Sequence, residues 1–72
     1  MKTKKITTLK SVTSQVLENK KTNEWIEVRW FEKYPNGGID LYVYSGQSLS
    51  NDDVLEFENL KELKQEWKIV IG

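Results

Sequence analysis

The strongest constraint on the fold is a hairpin signal in the middle of the chain. Residues 24–34 are rich in aromatic and β-branched side chains, which suit a pleated strand, and residues 39–45 resume the same pattern. Between them lies the segment Pro35-Asn36-Gly37-Gly38. Its Asn-Gly pair favours the positive backbone angles of a type I′ turn. The sequence therefore predicts two antiparallel strands joined by a tight turn.

Two registers of this hairpin are compatible with the sequence. A two-residue loop of Asn36 and Gly37 sets Lys33 opposite Asp40, which pairs opposite charges, and Trp30 opposite Val43. We prefer this register because it collects apolar side chains on one face, namely Ile26, Val28, Trp30, Ile39, Leu41 and Val43. A three-residue loop with a glycine bulge, which Gly38 permits, shifts the pairing by one residue and sets Trp30 opposite Tyr42.

The second face of the hairpin is aromatic where a solvated face would be polar. Its candidate partner-binding residues are Trp25, Arg29, Phe31, Tyr42 and Tyr44. Two interpretations stay open. Another element of the chain covers this face as a second core, or the face is exposed and binds a partner, since aromatic residues and arginine are enriched at protein interfaces.

The segment before the hairpin predicts a helix. Between residues 6 and 17 apolar side chains recur at steps of three and four, so we expect a helix from about Thr8 to Asn19. Residues 1–5 are predicted to be disordered, because they are short, basic and terminal.

The segments after the hairpin predict a strand and a second helix. Residues 46–53 have the composition of a loop, and residues 54–58 alternate as an edge strand with Leu55 and Phe57 inward. Asn59 with Glu62 three residues later resembles a capping box, which predicts a helix from Leu60 to about Lys68. Residues 69–71 suit either a last helical turn or a short closing strand.

These elements define the expected fold class, a small α+β domain of residues 1–72. The predicted order is helix, strand, strand, strand, helix (α-β-β-β-α), with one three-stranded antiparallel sheet. The apolar face of the sheet is expected to pack on Leu9, Val16, Leu60, Leu63 and Trp67.

Composition excludes much enzyme chemistry. The chain has no Cys and no His, and therefore no nucleophilic thiol, imidazole base or usual zinc ligand set. The densest acidic cluster lacks the ligand spacing of an EF-hand loop and is expected to be a solvated edge, made of Asp52, Asp53, Glu56 and Glu58. We expect a protein that is not an enzyme and has no metal or cofactor. The lack of Cys and of a long apolar run predicts a cytoplasmic protein without a membrane partner.

Charge is distributed unevenly although the net charge is zero. Residues 1–21 hold six lysines and one acid, whereas residues 22–72 hold five basic and ten acidic side chains. A basic terminus beside an aromatic face can bind nucleic acid. The acidic half of the chain can instead imitate the phosphates of nucleic acid. Arg29 is the only arginine, which argues mildly against base-specific readout of DNA.

Part of the chain resembles a known family. Residues 25–30, the turn at 35–38, Phe57 and residues 60–67 are similar to the three-stranded sheet and helix that begin many phage integrases and bind arm-site DNA. The resemblance covers about two thirds of the chain and implies DNA binding. The chain departs from that pattern because DNA-facing strands of the family are basic, whereas this one carries Glu24, Glu27, Glu32 and Asp40.

The function that we expect is binding of another protein through the aromatic face. A regulator or inhibitor fits best, and small stand-alone proteins of this kind are frequent in phages and mobile elements. The alternatives are a nucleic-acid-binding domain that uses the same face and the N-terminal lysines, and an acidic mimic of nucleic acid.

Overall fold

The computed structural model describes residues 2–45 and 52–71. It contains one 3₁₀ helix at Leu9–Val12, one α-helix, α1, at Leu60–Glu66, and strands β1 Lys2–Lys4, β2 Val16–Asn19, β3 Trp25–Lys33, β4 Ile39–Ser45, β5 Asp52–Phe57 and β6 Trp67–Ile71. The predicted loop at residues 46–53 lies mostly outside the described residues, and Asp52 and Asp53 belong to β5.

The strands form a six-stranded antiparallel sheet in the order β1-β6-β2-β3-β4-β5. The predicted α-β-β-β-α fold is therefore wrong, because the sheet has twice the predicted number of strands and the N-terminal helix is missing. The last strand, β6, lies between β1 and β2, so the two ends of the described chain are joined in one sheet. No helix in residues 2–45 and 52–71 is long and apolar enough to cross a membrane.

The predicted helix at residues 8–19 is replaced by the 3₁₀ helix and β2. Backbone hydrogen bonds at the junction tie the chain to β3, since the amide of Ser14 donates to the carbonyl of Val28 and the amide of Val28 donates to Gln15. The helical turn ends at Thr13, whose backbone is extended, and the next residue, Ser14, has a φ of 62°. The helical spacing misled because Leu9 and Leu17 reach the same core, one from a 3₁₀ turn and the other from a strand.

Residues 2–4 belong to the segment that was predicted to be disordered. They form the edge strand β1, in which Lys2 pairs with Ile71 and Lys4 with Ile69. All its side chains are exposed, so β1 is held by its backbone pairing with β6. Hydrophobic patterning carries no signal for such a strand.

The hairpin of β3 and β4 is confirmed, but the preferred register is wrong. Trp30 pairs with Tyr42 and Lys33 with Ile39, as in the three-residue loop that we gave as the alternative. The carbonyl of Tyr34 accepts from the amide of Gly37 at 2.9 Å, and the carbonyl of Gly38 accepts from the amide of Tyr34 at 2.8 Å. Gly37 has a φ of 95°, whereas Asn36 is not in the left-handed region, which excludes a type I′ turn.

A β-bulge in β3 decides which side chains face the core. The register shifts between Val28 and Trp30, so that Val28 pairs with Val43 while Arg29 is the extra residue. One extra residue inverts the alternation of the strand beyond it. Trp30, predicted in the core, is therefore 56% exposed, and Phe31, predicted on the opposite face, packs against the core.

The C-terminal elements follow the sequence more closely. β5 lies at the sheet edge as predicted, with Phe57 buried and Leu55 packed against the core. Asn59 caps α1, since its Oδ1 accepts from the amide of Glu62 at 2.9 Å. The helix ends at Glu66, two residues before the predicted end, and residues 69–71 belong to the closing strand β6.

The core lies on one face of the sheet, beneath α1 and the 3₁₀ helix. Its buried members are Ile6, Leu9, Val12, Leu17, Ile26, Val28, Ile39, Leu41, Val43, Phe57, Leu63, Trp67 and Ile69. The predicted core residues Leu9, Leu63 and Trp67 are among them, and Leu60 packs against them. Val16 is a further correction, because it is half-buried and alternates with Leu17 onto the other side of the sheet.

Candidate functional site

The candidate site is the sheet surface turned away from this core, here named the outer face. Strand pairing aligns its residues in rows that run across neighbouring strands. The rows are Val70, Val16, Glu27 and Tyr44; Lys68, Glu18 and Trp25; Trp30, Tyr42 and Val54; and Glu32, Asp40 and Glu56. In the described chain, both helices pack on the opposite, core side of the sheet through Leu9, Val12 and Leu63.

Aromatic and apolar side chains occupy the centre of the outer face. Trp30 is 56% exposed, Val54 46% and Trp25 38%. Tyr42, which lies between Trp30 and Val54 in its row, is half-buried, as is Tyr44. A tryptophan more than half exposed on a sheet face leaves a large apolar surface in water.

Arg29 lies among these rings. Its guanidinium carbon is 4.8 Å from the centroid of the Tyr44 ring, in cation–π geometry. As the extra residue of the bulge, Arg29 is placed on this face together with its neighbour Trp30. The bulge thus aims two side chains outward where a regular strand would present one.

A row of three hydrogen-bonded side chains holds Trp25 in place. The indole Nε1 of Trp25 donates to Glu18 Oε1 at 2.8 Å, and Lys68 Nζ lies 3.2 Å from Glu18 Oε2. The hydrogen bond from Trp25, and then the one from Lys68, lowers the pKa of the Glu18 carboxyl below its ordinary value. Glu18 therefore fixes the orientation of the Trp25 indole.

The structure brings together four of the five predicted site residues. Trp25, Arg29, Tyr42 and Tyr44 share the outer face, whereas Phe31 is turned toward the core. Phe31 still supports the face, since its ring stacks on Trp30 with centroids 5.3 Å apart and planes 18° apart.

Sequence reasoning missed three members of this site. Trp30 was assigned to the core, although the alternative register, with Trp30 opposite Tyr42, contained the signal for its position. Glu18 and Lys68 come from β2 and β6, and their meeting with Trp25 depends on strand pairing that no local pattern reveals.

Three carboxylates, Glu32, Asp40 and Glu56, form a row that borders the aromatic side chains, and Glu27 lies between Trp25 and Arg29 along β3. Glu27, Glu32 and Glu56 are exposed, and Asp40 is half-buried on the same face. The hydroxyl of Tyr34 donates to Asp40 Oδ2 at 2.6 Å, and this hydrogen bond, together with the charge of Asp40, raises the pKa of Tyr34 to about 12. The outer face therefore combines an aromatic centre with an acidic border.

Within residues 2–45 and 52–71, no three acidic side chains are grouped so that they could hold a metal ion. Comparison of the whole chain with protein-family models, with curated proteins and with solved structures gives no match.

Proposed function

We propose that this protein is a non-catalytic binding module, a regulator or inhibitor, that contacts another protein through the outer face. The observation that carries the proposal is Trp30, which is 56% exposed, lies beside Tyr42 in its row and adjoins Arg29 on the same sheet surface. Tryptophan, tyrosine and arginine are the residues that most often dominate the energy of protein interfaces. On this face all three types lie together around Trp30.

The rings are also held in place before a partner binds. Trp25 is hydrogen-bonded to Glu18, Arg29 lies over Tyr44, and Trp30 stacks on Phe31. Ordering a mobile side chain on binding costs about 0.5–1.5 kcal/mol, so side chains that are already ordered lose less. Rings that are fixed on a rigid strand platform support a role of this face in binding a partner.

Charge favours a protein partner over nucleic acid at this face. Arg29 is accompanied there by Glu27, Glu32, Asp40 and Glu56. A phosphate backbone would approach four carboxylates, and affinity for nucleic acid depends on neutralising phosphates with cations. The acidic border instead suits a partner protein with a basic binding surface. An acidic mimic of nucleic acid would also bind a basic surface.

Substitution of the exposed tryptophan tests the proposal. The parent protein, with a photo-crosslinking side chain at position 54, is used to identify a partner, which is then purified for direct titration. Trp30→Ala should weaken binding to that partner by about tenfold or more, the effect of losing about 1.4 kcal/mol at an interface centre. The matched control is Ile71→Ala, because Ile71 is 40% exposed but alternates toward the core side of β6.

Two outcomes would contradict this proposal. The first is equal affinity of the parent and Trp30→Ala for the purified partner. The second is binding of single-stranded DNA through the outer face, seen as quenching of tryptophan fluorescence that Trp30→Ala abolishes and that falls steeply with salt. A partner that nucleic acid displaces would identify the protein as an acidic mimic.

A further inference from the structure

A second surface, on the helix side of the molecule, has the opposite charge. A cleft of about 410 Å³ lies between the segment after β1, the end of β2 and helix α1. Its lining includes four lysines, Lys5, Lys20, Lys61 and Lys64, around the apolar side chains of Ile6 and Leu60. We name it the lysine cleft. It is separate from the outer face, because it is formed by elements on the core side of the sheet.

The charged side chains of helix α1 that line this cleft are basic. Lys61 and Lys64 are one turn apart and both line it, as expected for residues at i and i+3. Glu62 and Glu66 are four residues apart on another side of the helix and do not line it. The helix thus presents only its basic side to the cleft.

The position of Lys20 is fixed by the helix. Its ammonium donates to the carbonyl oxygen of Lys64 at 2.8 Å, and its amide donates to the carbonyl of Glu66 at 2.9 Å. The first bond places a positive charge on a carbonyl that would otherwise repel an anion. The second joins the end of β2 to the end of α1, so the two walls of the cleft are connected.

Acidic side chains do not neutralise these lysines. Among the residues that the structure describes, none of the four forms an ion pair, and the lining contains no carboxylate. The net charge of the chain is zero. The lysines of this cleft and the acids of the outer face are nevertheless on different surfaces of the molecule. Four ammonium groups around one cleft repel each other, and an anion would relieve that repulsion.

We propose that the lysine cleft binds an anion that carries linked phosphate groups, of about nucleotide size, with its apolar part on Leu60. Lysines on several sides of a cleft suit a ligand whose charge is spread over several phosphates. A single carboxylate is better matched by arginine, whose planar guanidinium forms two parallel hydrogen bonds to it. The volume is within the range of about 300–1,000 Å³ that is typical of small-molecule sites. The phosphates belong either to a free nucleotide or to a nucleic-acid strand.

Amide chemical shifts measured by NMR test the proposal with pyrophosphate, ATP and orthophosphate as probes. Pyrophosphate and ATP should shift the amides of Ile6, Lys20, Lys61 and Lys64 in a saturable way, and orthophosphate should bind at least tenfold more weakly. The amides of the outer face, such as that of Trp30, should not shift. A short oligothymidylate identifies the source: tighter binding than ATP at the same amides assigns the phosphates to nucleic acid, and weaker binding assigns them to a free nucleotide.

Paired variants complete the test. Lys61→Gln with Lys64→Gln should weaken ATP binding at least tenfold, while the control, Lys10→Gln with Lys33→Gln, removes the same charge outside the cleft and should leave it unchanged. Both positions in α1 are exposed, and glutamine keeps a similar helix propensity, so the fold should survive. Equal losses in both variants, binding of orthophosphate as tight as that of pyrophosphate, or no saturable shift at millimolar ATP would overturn the proposal.

Discussion

At the scale of the residue, one inserted position in β3 decides which rings are core and which are surface. Trp30 is 56% exposed because Arg29 is the bulge residue, whereas Leu63 is fully buried. Leu63→Ala should therefore destabilise the protein by about 2–5 kcal/mol, and Trp30→Ala by less than about 1 kcal/mol. Urea unfolding measures both. Equal losses would mean that Trp30 is part of the core.

The Glu18 carboxyl predicts a pH dependence of stability. Its pKa is lowered in the folded state, so its contribution is present above the ordinary value of 4.5 and is lost as the pH falls from there through the lowered pKa. The free energy of unfolding should fall less between pH 7 and pH 3 in Glu18→Gln than in the parent protein. Trp25→Phe should reduce this fall more than Lys68→Met, since the hydrogen bond from Trp25 is the larger cause. An unchanged pH profile in Glu18→Gln would contradict the assignment.

At the scale of the element, the turn at residues 35–37 sets the register of the hairpin. Gly37 has a φ of 95°, which a β-branched side chain resists and asparagine tolerates. Gly37→Val should therefore cost about 1 kcal/mol more than Gly37→Asn. Thermal melts followed by circular dichroism compare the two variants. Equal midpoints would show that this φ does not control the stability of the turn.

Elements with local signals were predictable, and elements without them were not. The hairpin and the start of α1 were predicted because Asn36-Gly37 and the Asn59 cap act within a few residues. The predicted helix at 8–19 failed because its apolar spacing is satisfied equally by a 3₁₀ turn followed by a strand. β1 contains no apolar residue at all, so only its pairing with β6 identifies it.

Both edges of the described sheet carry charged side chains. β1 carries Lys2 and Lys4, and β5 carries Asp53 and Glu56 among its exposed residues. Charged side chains on an edge strand discourage pairing with another chain. Asp53 and Glu56, two members of the acidic cluster that the sequence predicted as a solvated edge, lie exposed on β5.

At the scale of the whole molecule, both candidate surfaces depend on contacts between distant parts of the chain. The aromatic composition of the hairpin predicted the outer face, although its register left Trp30 on the wrong side. The lysine cleft joins Lys5, Lys20 and the helix at residues 60–66, which are far apart in sequence. Only the insertion of β6 between β1 and β2 brings them together.

The same topology predicts an unequal response to removal of the two neighbouring strands. β6 pairs on both sides and contributes Ile69 and Trp67 to the core, whereas β1 pairs on one side and all its residues are exposed. Deletion of Lys2–Lys4 should cost about 1–2 kcal/mol, because a few hydrogen bonds of about 1 kcal/mol each are partly offset by the entropy of ordering the strand. Deletion of residues 68–71 should abolish cooperative folding.

Thermal melts followed by far-ultraviolet circular dichroism and by tryptophan fluorescence distinguish the two deletions. The chain without Lys2–Lys4 should keep one cooperative transition in both signals, at a lower midpoint. The chain without residues 68–71 should show no transition, because β1 has lost β6, the strand with which it pairs, and Leu17 in β2 has lost its neighbour Ile69. If the second deletion melted as cooperatively as the first, β6 would not be the strand that joins the N-terminal segment to the rest of the sheet.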